Sequence, residues 1–162
     1  MIEMLHLQTA NFSDIRPLDY LERGKLSFHQ RLGFLLEDVV AEIFKVLNID
    51  LERHVSFPIS KSKMGNYTVH TPDFYDRKKH AIYDVKLNVL LRNSFEMRAM
   101  IKNINPKETW IIYLVGTEPK KTKRNMNFIN VKQYIPQLID KGREDLVEVL
   151  DSIYKLAKGD FV

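Results

Sequence analysis

The sequence predicts a mixed α/β domain, and two observations support this fold class. Apolar residues recur at helical spacing in a long stretch from Leu26 to Leu47 and again in the tail from Arg143 to Ala157. Between these two stretches lie several short runs of strand-forming residues. Helices at both ends of a series of strands, with one more helix among the strands, indicate a mixed α/β architecture.

The first predicted elements are helices. Residues 13 to 22 fit a short helix with Pro17 in an early turn, where the missing N–H of proline does least harm. From Leu26 to Leu47 the apolar residues repeat at about 100° per residue and form one wide face. The members of this face are Leu32, Leu35, Leu36, Val39, Val40, Ile43, Val46 and Leu47. We therefore expect the second helix to be buried along one side.

Three strands and a helix are predicted next. The strands lie around Arg53 to Ile59, around Tyr67 to Tyr75, and at Ala81 to Leu87. Asn93-Ser94 then offers an N-cap, and Glu96 stands three residues after Asn93, as in a capping box. A helix is therefore expected to run from this cap to about Asn103.

Two strands and a helix complete the predicted order. The unbroken apolar run in "TWIIYLVG", which ends at Gly116, indicates a central strand buried on both faces, and a second strand is expected near Asn127 to Val131. The helix from Arg143 to Ala157 has one apolar and one charged face, and Gly159 can end it. Its apolar face either covers the core or, if exposed, forms a dimer contact.

Composition limits the classes of protein that the chain can belong to. With 162 residues and 44% hydrophobic content, one sizeable core and a single domain are expected. The chain has no cysteine, which excludes disulfides, thiolate zinc sites and cysteine nucleophiles and fits a reducing compartment. There is no signal-peptide pattern, and the longest apolar run is too short to span a membrane. We therefore expect a cytoplasmic protein without membrane contact.

Motif searches remove further classes of protein. No Gly-rich phosphate loop, nucleophile elbow or Rossmann fingerprint is present, which excludes most NTPase, hydrolase and dehydrogenase functions. The five histidines show no H-E-x-x-H or comparable metal spacing, so most are expected on the surface or in strands. His70 and His80 flank the acidic stretch described below and could touch phosphate, although an ordinary structural position is the stronger expectation. Tyr67, Tyr75 and Tyr83 are expected to pack in the sheet.

The net charge of +4 is modest, but the basic residues are concentrated in predicted loops. They are Lys61, Lys63, Arg77, Lys78, Lys79, Lys120, Lys121, Lys123 and Arg124. Each run alone is typical of a solvated loop. Three such runs beside acids that are expected to be buried favour a nucleic-acid-binding role for these nine residues.

Two carboxylates and an amine occur among strand-forming residues in "TPDFYDRKKHAIYDVKLN". Side chains alternate along a strand, so Asp84 and Lys86 point to the same side. If the flanking strands form a hairpin, Asp73 comes close to Asp84, and two carboxylates that close need a cation or a proton between them. Magnesium suits a site made of oxygen ligands. The alternative is an exposed strand face with a solvated Asp84–Lys86 pair, which would contribute little to stability.

The long helix adds a further acid. Glu37 lies at the edge of the apolar face and could lean over the same site, or it could be an ordinary residue at the boundary of an amphipathic helix. Gly33 lies one turn earlier, and glycine in a helix costs about 1 kcal/mol relative to alanine. We therefore expect a packing reason or a close approach at Gly33.

These residues resemble the pattern of the PD-(D/E)xK nuclease superfamily, which includes type II restriction enzymes, archaeal Holliday-junction resolvases and Mrr-like nucleases. The resemblance rests on Arg31-x-Gly33-x-x-x-Glu37, on Pro72-Asp73, and on Asp84-x-Lys86, with 11 residues from Asp73 to Asp84. It implies a restriction-endonuclease-like αβββαβ core over about residues 26 to 116, with a mixed central sheet flanked by helices. Residues 117 to 162 would add a C-terminal strand and helices to this single domain of residues 1 to 162. Position 84 holds Asp where many members have Glu, a variation that the pattern admits.

The resemblance also implies roles for the four motif residues. Asp73 and Asp84 would hold one or two Mg²⁺ ions, with Mn²⁺ as a substitute, and Glu37 would complete or support the metal site. Lys86 would orient or help to deprotonate the attacking water and stabilise charge on the phosphate. Glu37, Asp73, Asp84 and Lys86 are thus the predicted catalytic residues.

The predicted function is a Mg²⁺-dependent DNA endonuclease that hydrolyses phosphodiester bonds, acting as a homodimer because a small nuclease that cuts both strands needs two sites. The alternative is a noncatalytic nucleic-acid-binding or assembly module with a nuclease-like fold, which would bind DNA in a salt-sensitive way without metal. The sequence leaves the preferred DNA structure and the choice between DNA and RNA open.

Overall fold

The computed structural model describes residues 27 to 61, 67 to 120 and 126 to 159. The chain divides into two compact units. The first comprises the segments up to Ile49 and from Asn130 onward, and the second comprises residues 50 to 129. The predicted helix at residues 13 to 22 lies outside the described residues. The expectation of one domain over the whole chain stays a prediction.

The first unit is helical and begins with helix α1 (Phe28–Val46). Its start is a capping box: the Ser27 hydroxyl accepts from the backbone N–H of Gln30, and the Gln30 side chain accepts from the backbone N–H of Ser27. The predicted apolar face is buried from Leu32 to Ile43. The long amphipathic helix predicted from the sequence is therefore confirmed, with bounds within two residues of the prediction.

The C-terminal part of the same unit packs on α1. It consists of a 3-10 helix (Val131–Tyr134), helix α3 (Ile135–Asp140) and helix α4 (Glu144–Ala157), numbered in chain order after helix α2 (Phe95–Ile104) of the second unit. Helix α4 lies against α1 and buries Leu146, Val149, Leu150 and Ile153. Because its apolar face is covered within this unit, α4 covers the core and does not offer that face as a dimer contact.

The second unit is built on a five-stranded sheet with a separate two-stranded sheet. In chain order the elements are β1 (Glu52–Arg53), β2 (Phe57–Lys61), β3 (Tyr67–His70), β4 (Phe74–Asp76), β5 (Ala81–Asn88), a 3-10 helix (Val89–Asn93), helix α2 (Phe95–Ile104), β6 (Glu108–Val115) and β7 (Met126–Asn130). The large sheet has the order β1-β4-β5-β6-β7, and β2 pairs with β3. Strand β4 is antiparallel to β1 and β5, whereas β5 is parallel to β6. The prediction of a mixed α/β fold with a mixed sheet is confirmed.

Two of the strands predicted from the sequence are each broken into two. In the first, His54 takes a left-handed backbone conformation with φ 57°, which interrupts the extended chain between β1 and β2. In the second, the chain leaves the ladder between β3 and β4 at Thr71 to Asp73, where Pro72 has no N–H to donate. The prediction of two continuous strands here was wrong. Strand-forming residue types indicate extended backbone but do not show where the backbone turns within the segment.

Helix α2 begins at the predicted Asn93-Ser94 pair. The Ser94 hydroxyl accepts from the N–H of Met97, so Ser94 is the member of this pair that forms the N-cap. Asn93 instead ends the 3-10 helix, which the sequence analysis missed and which begins where the Asn88 side chain accepts from the N–H of Leu90.

One face of the sheet and helix α2 share the core of the second unit. Its buried members are Tyr75, Ile82, Val89, Met97, Met100, Ile104, Ile111, Tyr113 and Met126. Ile82 on β5 thus points toward the side that carries α2. Because strand side chains alternate, Asp84 and Lys86 belong to the same side of β5. In β6, Ile111 to Val115 are all buried, and β6 lies between β5 and β7, as predicted for a central strand.

The expected close approach at Gly33 is not observed. Within the described residues, no heavy atom lies within 4 Å of the position that a Cβ would occupy at Gly33. The packing reason inferred from the sequence was therefore wrong for the part of the chain that the structure describes. In that same part, no helix is both long and apolar enough to span a lipid bilayer.

Candidate metal and phosphate site

The β4–β5 hairpin brings Asp73 and Asp84 together, as the sequence predicted. Tyr75 pairs with Ile82 and Phe74 with Tyr83, which sets Asp73, the residue just before β4, beside the middle of β5. The backbone N–H of Asp73 donates to Oδ1 of Asp84 at 3.3 Å. The Asp84 carboxylate is therefore held beside the Asp73 main chain by the register of the hairpin.

The Asp73 carboxylate is fixed by the neighbouring strand. Its Oδ2 accepts from the backbone N–H of Val85 at 2.6 Å. A charge-assisted bond of this kind is stronger than a bond between neutral groups. The Asp73 carboxylate thus accepts from the main chain of β5, and the Asp84 carboxylate accepts from the main chain of Asp73. Each carboxylate is positioned by a backbone N–H group of the segment that carries the other.

Lys86 completes the group on the same face of β5. Its Nζ lies 2.8 Å from Oδ2 of Asp84, and the side chains of Lys86 and Asp84 are 21% and 10% exposed. A solvated pair on an open strand face would show much larger exposures. The alternative of an exposed strand face is therefore contradicted, and the pair lies in a largely buried setting.

The electrostatic surroundings keep Lys86 charged. Burial alone would lower the pKa of Lys86, but the charge and hydrogen bond of Asp84, together with the charges of Asp73 and Glu96, raise this pKa above its usual value. Lys86 is thus a cation placed among three carboxylates. Glu96 lies in the first turn of α2, so the helix that covers this face also contributes to the charge around Lys86.

His54 is a residue of this site that the sequence analysis missed. Its backbone N–H donates to the carbonyl oxygen of Asp73 at 3.2 Å. A ring nitrogen of His54 lies within 4.8 Å of a carboxylate oxygen of Asp73. No local motif marks His54, because it reaches Asp73 through the pairing of β1 with β4.

Glu37, the remaining predicted catalytic residue, lies on α1 in the first unit. It is 7% exposed, which is unusual for a charged residue on an amphipathic helix. The part of Glu37 in a metal site stays a prediction.

Two further histidines, His70 and His80, and the tyrosines Tyr75 and Tyr83 have structural partners. The ring Nδ1 of His80 lies 2.7 Å from the Tyr75 hydroxyl, and Nε2 of His70 lies 2.9 Å from the Asn103 amide nitrogen. Tyr75 is buried in the core, and Tyr83 is buried with its ring stacked on Trp110. The positions of Tyr75 and Tyr83 agree with the expectation of sheet packing, and a phosphate contact by His70 or His80 stays a prediction. The side chain of Tyr67 lies outside the described part of the chain.

Four of the predicted nucleic-acid-binding residues have described side chains. Arg77, Lys78 and Lys79 are exposed in the turn between β4 and β5, and Lys120 is exposed after β6. Arg77 forms a bidentate ion pair with Glu52 at 2.9 and 3.0 Å. Since such an exposed pair contributes little to stability, it does not prevent Arg77 from exchanging Glu52 for a phosphate. The side chains of Lys61, Lys63, Lys121, Lys123 and Arg124 lie outside the described residues.

Helix α2 presents a second basic surface that the sequence analysis did not include. Phe95, Arg98 and Lys102 line an open groove on its solvent side. These residues are three and four positions apart, so they share one helical face. Phe95 is 79% exposed, which leaves a large aromatic ring beside two exposed cations.

Comparisons with protein-family models, with curated proteins and with solved structures find no match to this chain.

The donor atoms in this site are of the type that bind hard divalent cations. Asp73 and Asp84 supply carboxylate oxygens, the ligands that Mg²⁺ and Mn²⁺ prefer, and Lys86 supplies a positive charge that would face a bound phosphate. Like charges on neighbouring carboxylates repel each other unless a cation or a proton compensates them. In the described structure Lys86 meets this need in part, since it pairs with Asp84.

Proposed function

We propose that this protein is a Mg²⁺-dependent DNA endonuclease of the PD-(D/E)xK type. The observation that carries this proposal is the grouping of Asp73, Asp84 and Lys86 on one largely buried face of the β4–β5 hairpin. Their chemistry, two carboxylates and one amine, is that required for phosphodiester hydrolysis with a metal ion. The element order from α1 to β6, with a parallel β5–β6 pair after an antiparallel hairpin, also supports a restriction-endonuclease-like core.

In this proposal Asp73 and Asp84 hold the metal ion. When bound, the ion supplies a more acidic water and neutralises charge on the phosphate. The hydrogen bond from Val85 fixes the Asp73 carboxylate, and the bond from the Asp73 main chain fixes the Asp84 carboxylate. The protein therefore has its metal ligands in position before the metal binds, which lowers the cost of organising the site.

Lys86 acts on the phosphate as a cation. Its raised pKa means that the ammonium form dominates near neutral pH, so Lys86 stabilises the negative charge that grows on the scissile phosphate. Its short distance to Asp84 keeps the ammonium group beside the metal ligands. Exposed cations in the same unit, in the β4–β5 turn and on α2, would hold the DNA backbone by contacts that do not depend on sequence.

A cleavage assay with matched variants tests the proposal. Supercoiled plasmid, linear duplex, four-way junction and single-stranded DNA are incubated with protein and Mg²⁺ or Mn²⁺. We expect cleavage of at least one substrate by the wild type, and a rate lower by at least about 100-fold for Asp84→Asn and for Lys86→Met.

The control variant is Asp76→Asn in the same hairpin. Asp76 caps the turn, where its Oδ1 accepts from the N–H groups of Lys78 and Lys79, and asparagine keeps a side-chain oxygen for these bonds. Asp76→Asn is therefore expected to cleave as fast as the wild type. Equal rates for the wild type and Asp84→Asn would contradict the proposal. Salt-sensitive DNA binding without cleavage or a metal requirement would favour a noncatalytic nucleic-acid-binding module.

A further inference from the structure

We infer that Phe95 on helix α2 stacks with an unpaired nucleobase, and that the nucleic acid on which this protein acts therefore has a single-stranded segment. This inference rests on the proposed function, because it names the structure of the substrate that the nuclease takes. It is carried by the groove that Phe95, Arg98 and Lys102 line on α2.

Exposed apolar side chains occur together at the start of α2. Six large apolar side chains are exposed in the described part of the chain, and three of them, Leu90, Leu91 and Phe95, lie within six consecutive residues. Phe95 is the most exposed of the six, at 79%. Single exposed apolar residues are ordinary, whereas several that occur together mark a binding surface. We therefore place a binding surface at the start of α2.

The neighbours of Phe95 on α2 leave room for a flat ligand. Ala99 lies one turn after Phe95 on the same helical face, and its methyl group is too small to cover an aromatic ring. The groove has a volume of about 710 Å³, within the range of roughly 300–1,000 Å³ that is usual for ligand sites. It is open to solvent, which suits one unit of a long chain better than an enclosed small molecule.

The charges of the groove are complementary to a phosphate chain. Its described lining contains two cations, Arg98 and Lys102, and no acid. They follow Phe95 by three and seven positions, so both lie on the face that carries the ring. Sites for single strands combine aromatic rings on which bases stack with cations that follow the backbone. Because the bases of an intact duplex are already stacked on one another, the base that meets Phe95 is an unpaired one.

Helix α2 lies on the side of the sheet that carries the proposed catalytic residues. Its apolar face packs in the core that contains Ile82, and Ile82 shares its side of β5 with Asp84 and Lys86. Glu96, the residue after Phe95, adds its charge to those that raise the pKa of Lys86. A strand held at Phe95 is therefore on the same side of the sheet as the site of cleavage.

Binding to a single strand and to a duplex tests the stacking role. The measurements use EDTA, which removes the metal ion that the proposed cleavage needs, with a single strand of about 15 nucleotides and the blunt duplex of the same sequence. We expect Phe95→Leu, which stays apolar but loses the ring, to bind the single strand on the order of tenfold more weakly and the duplex as the wild type does. Phe95→Trp is expected to keep the wild-type affinity for both.

Salt dependence and a matched variant make this measurement specific. In Phe95→Leu the slope of log affinity against log salt concentration is expected to stay that of the wild type, because no phosphate contact is lost. The control is Phe34→Leu, which makes the same change at a phenylalanine of α1 that is 40% exposed. Its affinity for both probes is expected to equal that of the wild type.

Cleavage of tailed DNA extends the test to the substrate. Duplexes with a single-stranded 5′ or 3′ tail and the blunt duplex of the same sequence are incubated with the protein and Mg²⁺ or Mn²⁺. We expect the wild type to cleave at least one tailed duplex on the order of tenfold faster than the blunt duplex. This preference is expected to disappear in Phe95→Leu and to persist in Phe95→Trp.

The outcomes separate this inference from the proposed function. Equal single-strand affinity in the wild type and Phe95→Leu overturns the inference, as does an equal loss for single strand and duplex. A wild-type dimer in sedimentation velocity that Phe95→Leu abolishes, with unchanged DNA affinity, also overturns it, because the groove is then a protein contact. Asp84-dependent cleavage without any effect of Phe95 leaves the proposed nuclease intact. Single-strand binding through Phe95 without Asp84-dependent cleavage removes the nuclease and keeps the stacking role.

Discussion

Three aspartates of one hairpin differ in what their oxygens contact, and this difference separates structural from chemical roles. Asp76 binds two backbone N–H groups of its own turn. Asp73 accepts from the main chain of the next strand, and Asp84 pairs with Lys86. Asp73 and Asp84 each lie beside an ionisable side chain, which is His54 for Asp73 and Lys86 for Asp84. Residue type alone therefore does not identify the site, whereas the contacts do.

Gly33 gives a prediction about stability at the level of one residue. Because no heavy atom of the described residues lies near the position of its missing Cβ, Gly33→Ala is expected to stabilise the protein by about 1 kcal/mol through the helix propensity of alanine. Urea denaturation followed by circular dichroism measures the change. A loss of stability would show that a side chain at position 33 is not tolerated.

At the level of elements, strong local patterns and the β4–β5 hairpin were predictable, whereas the pairing of β1 with β4 was not. Helix α1 was predicted because its apolar face repeats over many turns, and β5 because strand-forming residues alternate around Asp84 and Lys86. That same alternation is sufficient to assign Asp84 and Lys86 to one side of the strand. The break at His54 and its position beside Asp73 depend on the β1–β4 pairing, for which a single sequence has no local signal.

Helix α2 provides a test of the proposed DNA contact. Its exposed Arg98 and Lys102 lie in the same unit as Asp73 and Asp84. The double variant Arg98→Glu/Lys102→Glu is expected to weaken DNA binding on the order of tenfold or more and to reduce the slope of log affinity against log salt concentration, because two phosphate contacts are lost. Fluorescence anisotropy at several salt concentrations measures both quantities.

The control for this measurement is Lys141→Glu, an exposed cation of the first unit that follows α3. It changes the net charge without changing the α2 surface. An equal loss of affinity per reversed charge in both proteins would show that α2 has no specific part in binding DNA.

At the level of the whole molecule, a net charge of +4 gives only a weak general attraction to nucleic acid. The proposed DNA binding therefore depends on where the cations lie, and the second unit carries exposed cations together with Asp73, Asp84 and Lys86. The expected homodimer stays a prediction. The apolar face of α4 is buried within the first unit, so a dimer would need another surface.

The central claim is that Asp73 and Asp84 form one site for a divalent metal ion. Crystals of the wild type and of Asp84→Asn, soaked in Mn²⁺ and measured at a wavelength with strong manganese anomalous scattering, test it directly. The account predicts an anomalous peak about 2.2 Å from carboxylate oxygens of both Asp73 and Asp84 in the wild type, and its loss in Asp84→Asn. Well-ordered crystals without a peak at these two carboxylates, or with the same peak in both proteins, would contradict it.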